Sequence, residues 1–203
     1  MKSSRYLTGR MLLAGALLAV GLTACVNLKP AEDTTRFYVL TASRPASETA
    51  APSGAPRILL GRVEVADYLR APQLAFRAAP NRIGYADLHQ WAEPLDAALP
   101  RILEQDFLLR LGSGNAALPD GPTREVRFSF LRFDLTPNGE TRTEVICRVI
   151  DPASRQVLME RTLLRETAAT AGVTGFEEAV ASLSGQLGEL ADEAIALARA
   201  ARP

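Results

Sequence analysis

The first 25 residues of this 203-residue chain restrict which part of it can form a folded domain. The short basic start contains Lys2, Arg5 and Arg10, and an apolar run covers residues 11–22. A charged start, an apolar centre and small residues before a cleavage point are the pattern of a secretory signal peptide. The apolar run is shorter than the roughly 20 residues that a transmembrane helix needs. The sequence therefore predicts an exported domain that begins after residue 24.

The end of this signal, Leu22-Thr23-Ala24-Cys25, resembles the bacterial lipobox. In a lipobox the cysteine is acylated on sulfur, with chains such as palmitate, and becomes the first residue of the mature protein. Two or more acyl chains give stable attachment, at about 0.8 kcal/mol per buried methylene. We predict a signal peptide over 1–24, lipidation at Cys25 and a lipidated tether over 25–35. The alternative is an ordinary secretory signal with a chance cysteine.

The residue after Cys25 also bears on localisation. It is Val26, where an aspartate would favour the inner membrane in enteric-type bacteria. The lipobox resemblance therefore implies an anchor in the outer membrane, with the domain at its periplasmic face.

The remaining sequence, 36–203, has the length of one ordinary globular domain. Without the three basic residues of the signal, the chain carries 20 basic and 23 acidic residues, a net charge of −3. Arginines are scattered among carboxylates, whereas nucleic-acid binding needs clustered positive charge. We therefore expect no nucleic-acid partner.

Once Cys25 is lipidated, Cys147 has no partner for an intramolecular disulfide. It shares a strand face with Val145 and Val149, which predicts a small buried side chain; pairing between chains or reactivity is the alternative.

Hydrophobic periodicity predicts strands and two helices within this domain. Strands are expected at 36–40, 57–65, 75–78 and 81–85, and three more follow residue 122 with a bulge near Leu131. A helix should begin at Pro94 and end at Gly112, with Pro100 either kinking it or restarting it. A longer amphipathic helix begins near Phe176. The order ββ(β)α–βββα predicts an α+β domain, a mainly antiparallel sheet with two helices packed on one face.

No residue constellation in the sequence points to catalysis or to a metal. His89 is the only histidine, and no G-x-S-x-G elbow, phosphate-binding loop or dinucleotide fingerprint occurs. One histidine without a cysteine cluster makes no zinc site. We therefore predict that the protein is not an enzyme and uses no cofactor.

The segment Tyr85–Pro94 contains the only tryptophan and the only histidine of the chain. Tryptophan and tyrosine are enriched at binding hot spots, so Tyr85 and Trp91 are candidate partner contacts. The alternative for Trp91 is a place in the core beneath the first helix. Phe37 and Tyr38 are further candidates, because their short strand is isolated by a loop and is expected at a sheet edge. Edges invite pairing with a second copy or with a partner.

Three motifs together resemble the ABC-transport auxiliary lipoprotein family, whose best-known branch is the paraquat-inducible (Pqi-type) lipoprotein. They are Phe37-Tyr38-Val39-Leu40, the segment 58–69 and Trp91-Ala92-Glu93-Pro94-Leu95. The resemblance implies a non-enzymatic component of an envelope lipid transport system. Its partner would be a transporter protein with mammalian-cell-entry (MCE) domains, and the lipoprotein would serve as an outer-membrane docking piece that can form homo-oligomers. A free-standing periplasmic lipid-binding module is the alternative function.

Overall fold

The computed structural model of the protein describes residues 32–43, 55–112, 121–136, 139–167 and 175–202. The chain from Thr35 onwards forms one compact unit, separate from the first unit, Met1–Thr34. Cys25 and most of the predicted tether lie outside the described residues. The lipidation of Cys25 and the domain boundaries therefore remain predictions.

Seven strands and two long helices make up the described part of the domain. In chain order they are β1 (Arg36–Tyr38), β2 (Arg57–Val65), a short 3-10 helix (Asp67–Arg70), β3 (Gln73–Ala79), β4 (Arg82–Trp91), α1 (Leu95–Leu111), β5 (Thr123–Leu135), β6 (Thr141–Ile150), β7 (Val157–Thr167) and α2 (Phe176–Ala200). The α+β class is confirmed. Four strands precede the first helix, and β4 continues to Trp91, six residues beyond the strand that the sequence predicts at 81–85.

The seven strands form a single mixed sheet with β5 near its middle. Strands β5, β6 and β7 are an antiparallel meander, and β3 pairs antiparallel with β4. Strand β2 runs parallel to the first part of β5, and β3 meets the last residue of β5. Strand β1 pairs in parallel with the end of β4. Antiparallel pairing accounts for most of the ladder, as predicted.

Both helices pack on one face of this sheet. The buried residues of β5 alternate through Val126, Phe128 and Phe130, and the pairing register with β6 then shifts between Phe130 and Arg132. This is the bulge that the change of parity predicts. Because the bulge inserts one residue, Phe133 and Leu135 return to the helix-covered face and are buried there. The opposite face of the sheet carries cross-strand ion pairs such as Arg148–Glu160.

Helix α1 begins after Pro94 and ends at Gly112, whose φ of 62° terminates it. The helix is continuous through Pro100, so the predicted restart after one turn is wrong. Pro100 lies near the N-terminus of the helix and lacks a single i to i−4 hydrogen bond there. The helix continues for about three more turns after Pro100, to Leu111, and its packing against the sheet keeps it intact.

A buried polar network fixes the register of α2 on the sheet. The Gln186 side chain accepts a hydrogen bond from the Thr143 hydroxyl (2.6 Å) and donates to the Thr141 and Thr167 hydroxyls (2.8 and 3.0 Å). An amide buried without such partners would cost about 1–3 kcal/mol. Sliding α2 along the sheet would break all three bonds, so the network favours one position of the helix.

A second polar network, the Ser43 clamp, joins the chain after β1 to both helices, with Asp106 and Arg110 buried and Asp192 exposed. It consists of Ser43, Asp106, Arg110 and Asp192. The Ser43 N–H donates to Asp106 Oδ1 (2.9 Å), and Arg110 donates to Ser43 O (2.8 Å), Asp106 Oδ1 (2.9 Å) and Asp192 Oδ1 (2.8 Å). Gly188 of α2 leaves room for the clamp, because a Cβ there would collide with Ser43 Oγ. Burial raises the pKa of the Asp106 carboxyl above its usual range, although the Ser43 amide and Arg110 oppose the shift.

We predict that Arg110→Ala lowers the free energy of unfolding by about 3–5 kcal/mol, because it leaves the buried Asp106 without its cation. Arg101→Ala is the matched control, since Arg101 forms an exposed pair with Glu93 and should cost less than about 1 kcal/mol. Urea titration of both variants measures the difference.

The deficit of Arg110→Ala should also depend on pH. When a carboxyl has a higher pKa in the folded state than in the unfolded state, the protein loses stability as pH rises through the folded-state pKa. It regains that stability as pH falls towards the unfolded-state pKa of about 4. The difference in the free energy of unfolding between Arg110→Ala and the wild type should therefore be smaller at acidic pH. A gap of equal size at all pH values would contradict a charge-based role for the clamp.

Candidate docking site at the edge strand

Strand β1 forms one edge of the sheet, which confirms the predicted edge position of Phe37 and Tyr38. Its only neighbour among the described strands is β4. The Ala92 N–H donates to the Tyr38 carbonyl oxygen (2.8 Å), so the backbone of Tyr38 faces β4. Because successive residues of a strand direct their N–H and C=O groups to alternate sides, the backbone groups of Phe37 and Val39 face outwards.

An open groove of about 550 Å³ lies between the outward side of β1 and helix α2. Its lining comes from both elements: Arg36, Phe37, Tyr38, Val39, Thr41, Glu177, Val180, Ala181 and Ser184. The Thr41 N–H donates to Ser184 Oγ (3.2 Å), which ties the chain after β1 to α2. The groove therefore offers, on one wall, backbone groups that pair with no described strand and, on the other, a helix surface with apolar side chains.

An aromatic stack supports β1 from the helix side. Tyr38 is only 7% exposed, and its hydroxyl shares a hydrogen bond of 2.7 Å with His89 Nδ1. The His89 ring stacks on Phe176 with ring centroids 3.8 Å apart. The only histidine of the chain is thus held between two aromatic rings. The Tyr38 side chain belongs to the support of the edge and is not an exposed contact.

The other two candidate residues do not join this site. Trp91 is 6% exposed and packs on Phe133, with ring centroids 6.1 Å apart, so the core alternative describes its position. Tyr85 is 40% exposed and donates its hydroxyl hydrogen to the Tyr68 carbonyl oxygen (2.9 Å). It lies six residues before Trp91 on β4, opposite Ala75 of β3. The segment Tyr85–Pro94 therefore does not form one contact surface.

Comparison with known proteins identifies the family. A family model described as "ABC-type transport auxiliary lipoprotein component" matches residues 38–195. The chain belongs to this family. The fold is similar to that of protein XCC0632 from Xanthomonas campestris, which is described with family model DUF330. The two sequences are 15% identical, the match covers 78% of this chain and 91% of that one, and the TM-score is 0.57. The fold is also similar to that in a crystal structure of an uncharacterized protein, whose sequence is 18% identical. This match covers 82% of this chain and 97% of that chain, with the same TM-score of 0.57. No curated protein matches the sequence.

The family assignment makes this chain a lipoprotein and an auxiliary component of transport. The described residues contain no group of three or more His, Cys, Asp or Glu side chains placed to hold a metal ion. Within the same ranges no helix is long and apolar enough to cross a membrane.

Cys147 of the auxiliary lipoprotein is buried and forms no disulfide with any described residue, as predicted for a core residue. Burial raises the pKa of its thiol to about 12, and the charge of Glu193 adds to the shift. The thiol therefore stays protonated at neutral pH, and a thiol in that state is a poor nucleophile.

Sequence reasoning missed one residue beside the edge strand, Leu88. It is 51% exposed and has a φ of 60°, a conformation that bulky residues seldom adopt. Between the pairings of Gln73 and Ala75, β3 advances by two residues while β4 advances by five. Leu88 therefore lies in a bulge of β4. The sequence offers only a weak signal for it, an apolar residue between Asp87 and His89.

We predict that Trp91→Ala lowers the free energy of unfolding by about 3–5 kcal/mol, because it empties a core position. Tyr85→Ala should cost much less, since its half-exposed ring leaves only one hydrogen bond to lose, about 1 kcal/mol. Thermal and urea unfolding of the two variants provide the comparison. Equal destabilisation by both would show that Tyr85 also belongs to the core.

Proposed function

We propose that the protein is held by a lipid on Cys25 at the periplasmic face of the outer membrane and docks an MCE-type lipid transporter there. The observation that carries the proposal is the open edge of β1. This edge is the first structural element after the predicted tether, and it lies beside a groove that can hold another strand. Docking requires no catalytic group, and this proposal assigns none to the protein.

The geometry of the edge favours strand addition as the mode of docking. A partner strand that pairs with β1 would satisfy the backbone groups of Phe37 and Val39 and would extend the sheet by one strand. Its side chains on the helix side would meet Val180 and Ala181, while Arg36 and Glu177 lie at the polar rim of the groove. Main-chain hydrogen bonds would supply affinity, and the groove would select the side chains of the partner.

The alternative function, a free-standing lipid-binding module, needs space for acyl chains between the sheet and the helices. Side chains fill that layer in the described residues. Phe128 and Phe130 of β5 belong to one buried cluster with Leu183 and Leu187 of α2, and none of the four is more than 1% exposed. The filled core favours docking over lipid storage.

A second copy of the chain would compete for the same edge, because β1 can pair with any exposed strand of suitable length. Light scattering on the chain, alone and with an MCE-domain protein, distinguishes the two occupants. A homo-oligomer that persists when the MCE protein is bound would show that the contacts use different surfaces.

We predict that Cys25→Ala releases the protein from the membrane fraction into the soluble periplasmic fraction, because the residue that carries the lipid is lost. Cys147→Ala is the matched control: it removes a buried thiol and should leave the protein in the membrane fraction. Separation of inner and outer membranes by density then tests the localisation. If Cys25→Ala sediments with membranes as the wild type does, the anchor lies elsewhere in the chain.

We predict that Phe37→Pro weakens binding to an MCE-domain protein at least tenfold, equivalent to about 1.4 kcal/mol. Proline removes the outward-facing N–H of residue 37, whereas the hydrogen bonds of β1 to β4 use its neighbours. Phe37→Ala is the control, because it keeps the N–H and removes only the side chain. Titration calorimetry measures the three affinities.

The pair of variants separates backbone from side-chain recognition. Retained binding by Phe37→Ala together with loss by Phe37→Pro supports strand addition. Full binding by Phe37→Pro, with unchanged thermal stability, would rule out the β1 edge as the docking site.

A further inference from the structure

Three apolar side chains at the β1 end of the sheet are exposed together. Phe37 is 62% exposed, Val39 54% and Leu88 51%. Phe37 pairs with Gln90 of β4, so Leu88, two residues earlier, lies diagonally across from it. Tyr38 packs towards the helices, and strand alternation therefore places Phe37 and Val39 on the opposite, open face of the sheet. We call these three residues the apolar strip.

Leu88 is held in this strip at a cost in free energy. Its positive φ is unfavourable for a residue with a branched side chain, and its exposed side chain gains nothing from the core. Leu88 lies in the bulge of β4, and bulges commonly re-aim one residue of a strand. Strain of this kind persists where the surroundings impose it and is concentrated at functional positions. The strip therefore has the features of a contact surface.

The position of the strip relative to the anchor indicates what it contacts. Ten residues, 26–35, separate Cys25 from Arg36, the first residue of β1. An extended chain spans at most about 3.6 Å per residue, so the lipid at Cys25 and the start of β1 are at most about 40 Å apart. The apolar strip is thus tied closely to the membrane that holds the lipid.

We propose that the apolar strip rests on the lipid surface in which Cys25 is anchored. The inference depends on the proposed lipidation of Cys25. Three side chains are too few to bind a membrane alone, but the short tether supplies the high effective concentration that makes a weak second contact effective. Contact through the open face of the sheet leaves the outward backbone groups of β1 and the groove beside α2 free for a partner strand.

The test uses the mature lipidated protein in vesicles of phosphatidylethanolamine and phosphatidylglycerol. An environment-sensitive fluorophore is attached to Leu88→Cys, and Leu164→Cys is the matched control, an exposed leucine on β7 at the other edge of the sheet. Cys147 is buried and remains unlabelled. We expect the probe at 88 to shift to the blue in vesicles and to be quenched by brominated lipids, and the probe at 164 to do neither. Val39→Cys provides a second position within the strip if the labelled Leu88→Cys chain does not fold.

Co-flotation with the vesicles reports separately on the anchor. If the protein floats and the probes at 88 and 164 respond equally, the apolar strip does not contact lipid, whereas the anchoring proposal stands. If the protein does not float, both proposals fail. A shift at 88 that appears only after an MCE-domain protein is added would make the strip a protein interface and overturn the assignment to lipid.

Discussion

The inserted residue at Leu131 is the constraint on which the rest of the fold depends. Strand β5 pairs with β2, β3 and β6, and its 13 residues support both helices. Without the bulge, a one-residue change of parity would direct Phe133 and Leu135 to the open face. Trp91 would then lose its aromatic neighbour, and the end of β4 that carries β1 would lose its packing. The edge strand is therefore positioned by a feature in the middle of the sheet.

Local patterns in the sequence predicted much of this fold but did not predict the pairing of strands that are distant in the chain. Apolar periodicity and the flanking Pro94 and Gly112 defined α1, because helix ends depend on residues within one turn. The parity change at Leu131 was equally local. The parallel pairing of β1 with β4 joins residues about 50 positions apart, and no local signal encodes it. Strand β4 was missed beyond Tyr85, because Asp87, His89 and Gln90 are polar and Leu88 breaks the alternation that marks a strand.

The candidate site shows the same division between local and long-range information. The edge position of Phe37 followed from the shortness and isolation of its strand, whereas for Trp91 the sequence left a partner contact and a core position as alternatives. The groove, in contrast, exists only because α2 lies beside β1, and Tyr38 became a supporting residue only through His89 and Phe176. Of the four aromatic candidates, only Phe37 and Tyr38 lie at the edge strand. Its exposed surface is formed by outward backbone groups and by the apolar strip.

The Ser43 clamp determines how the domain would respond to mechanical force. For a chain anchored at Cys25, any tension in the tether enters at Arg36 and acts along β1. Because the force acts along β1, the few hydrogen bonds between β1 and β4 bear this load in shear rather than one after another. Force that passes beyond β1 reaches the Thr41–Ser184 bond and then the clamp, where Arg110 and Asp106 connect the chain to both helices. The clamp would therefore distribute tension from the membrane over both helices.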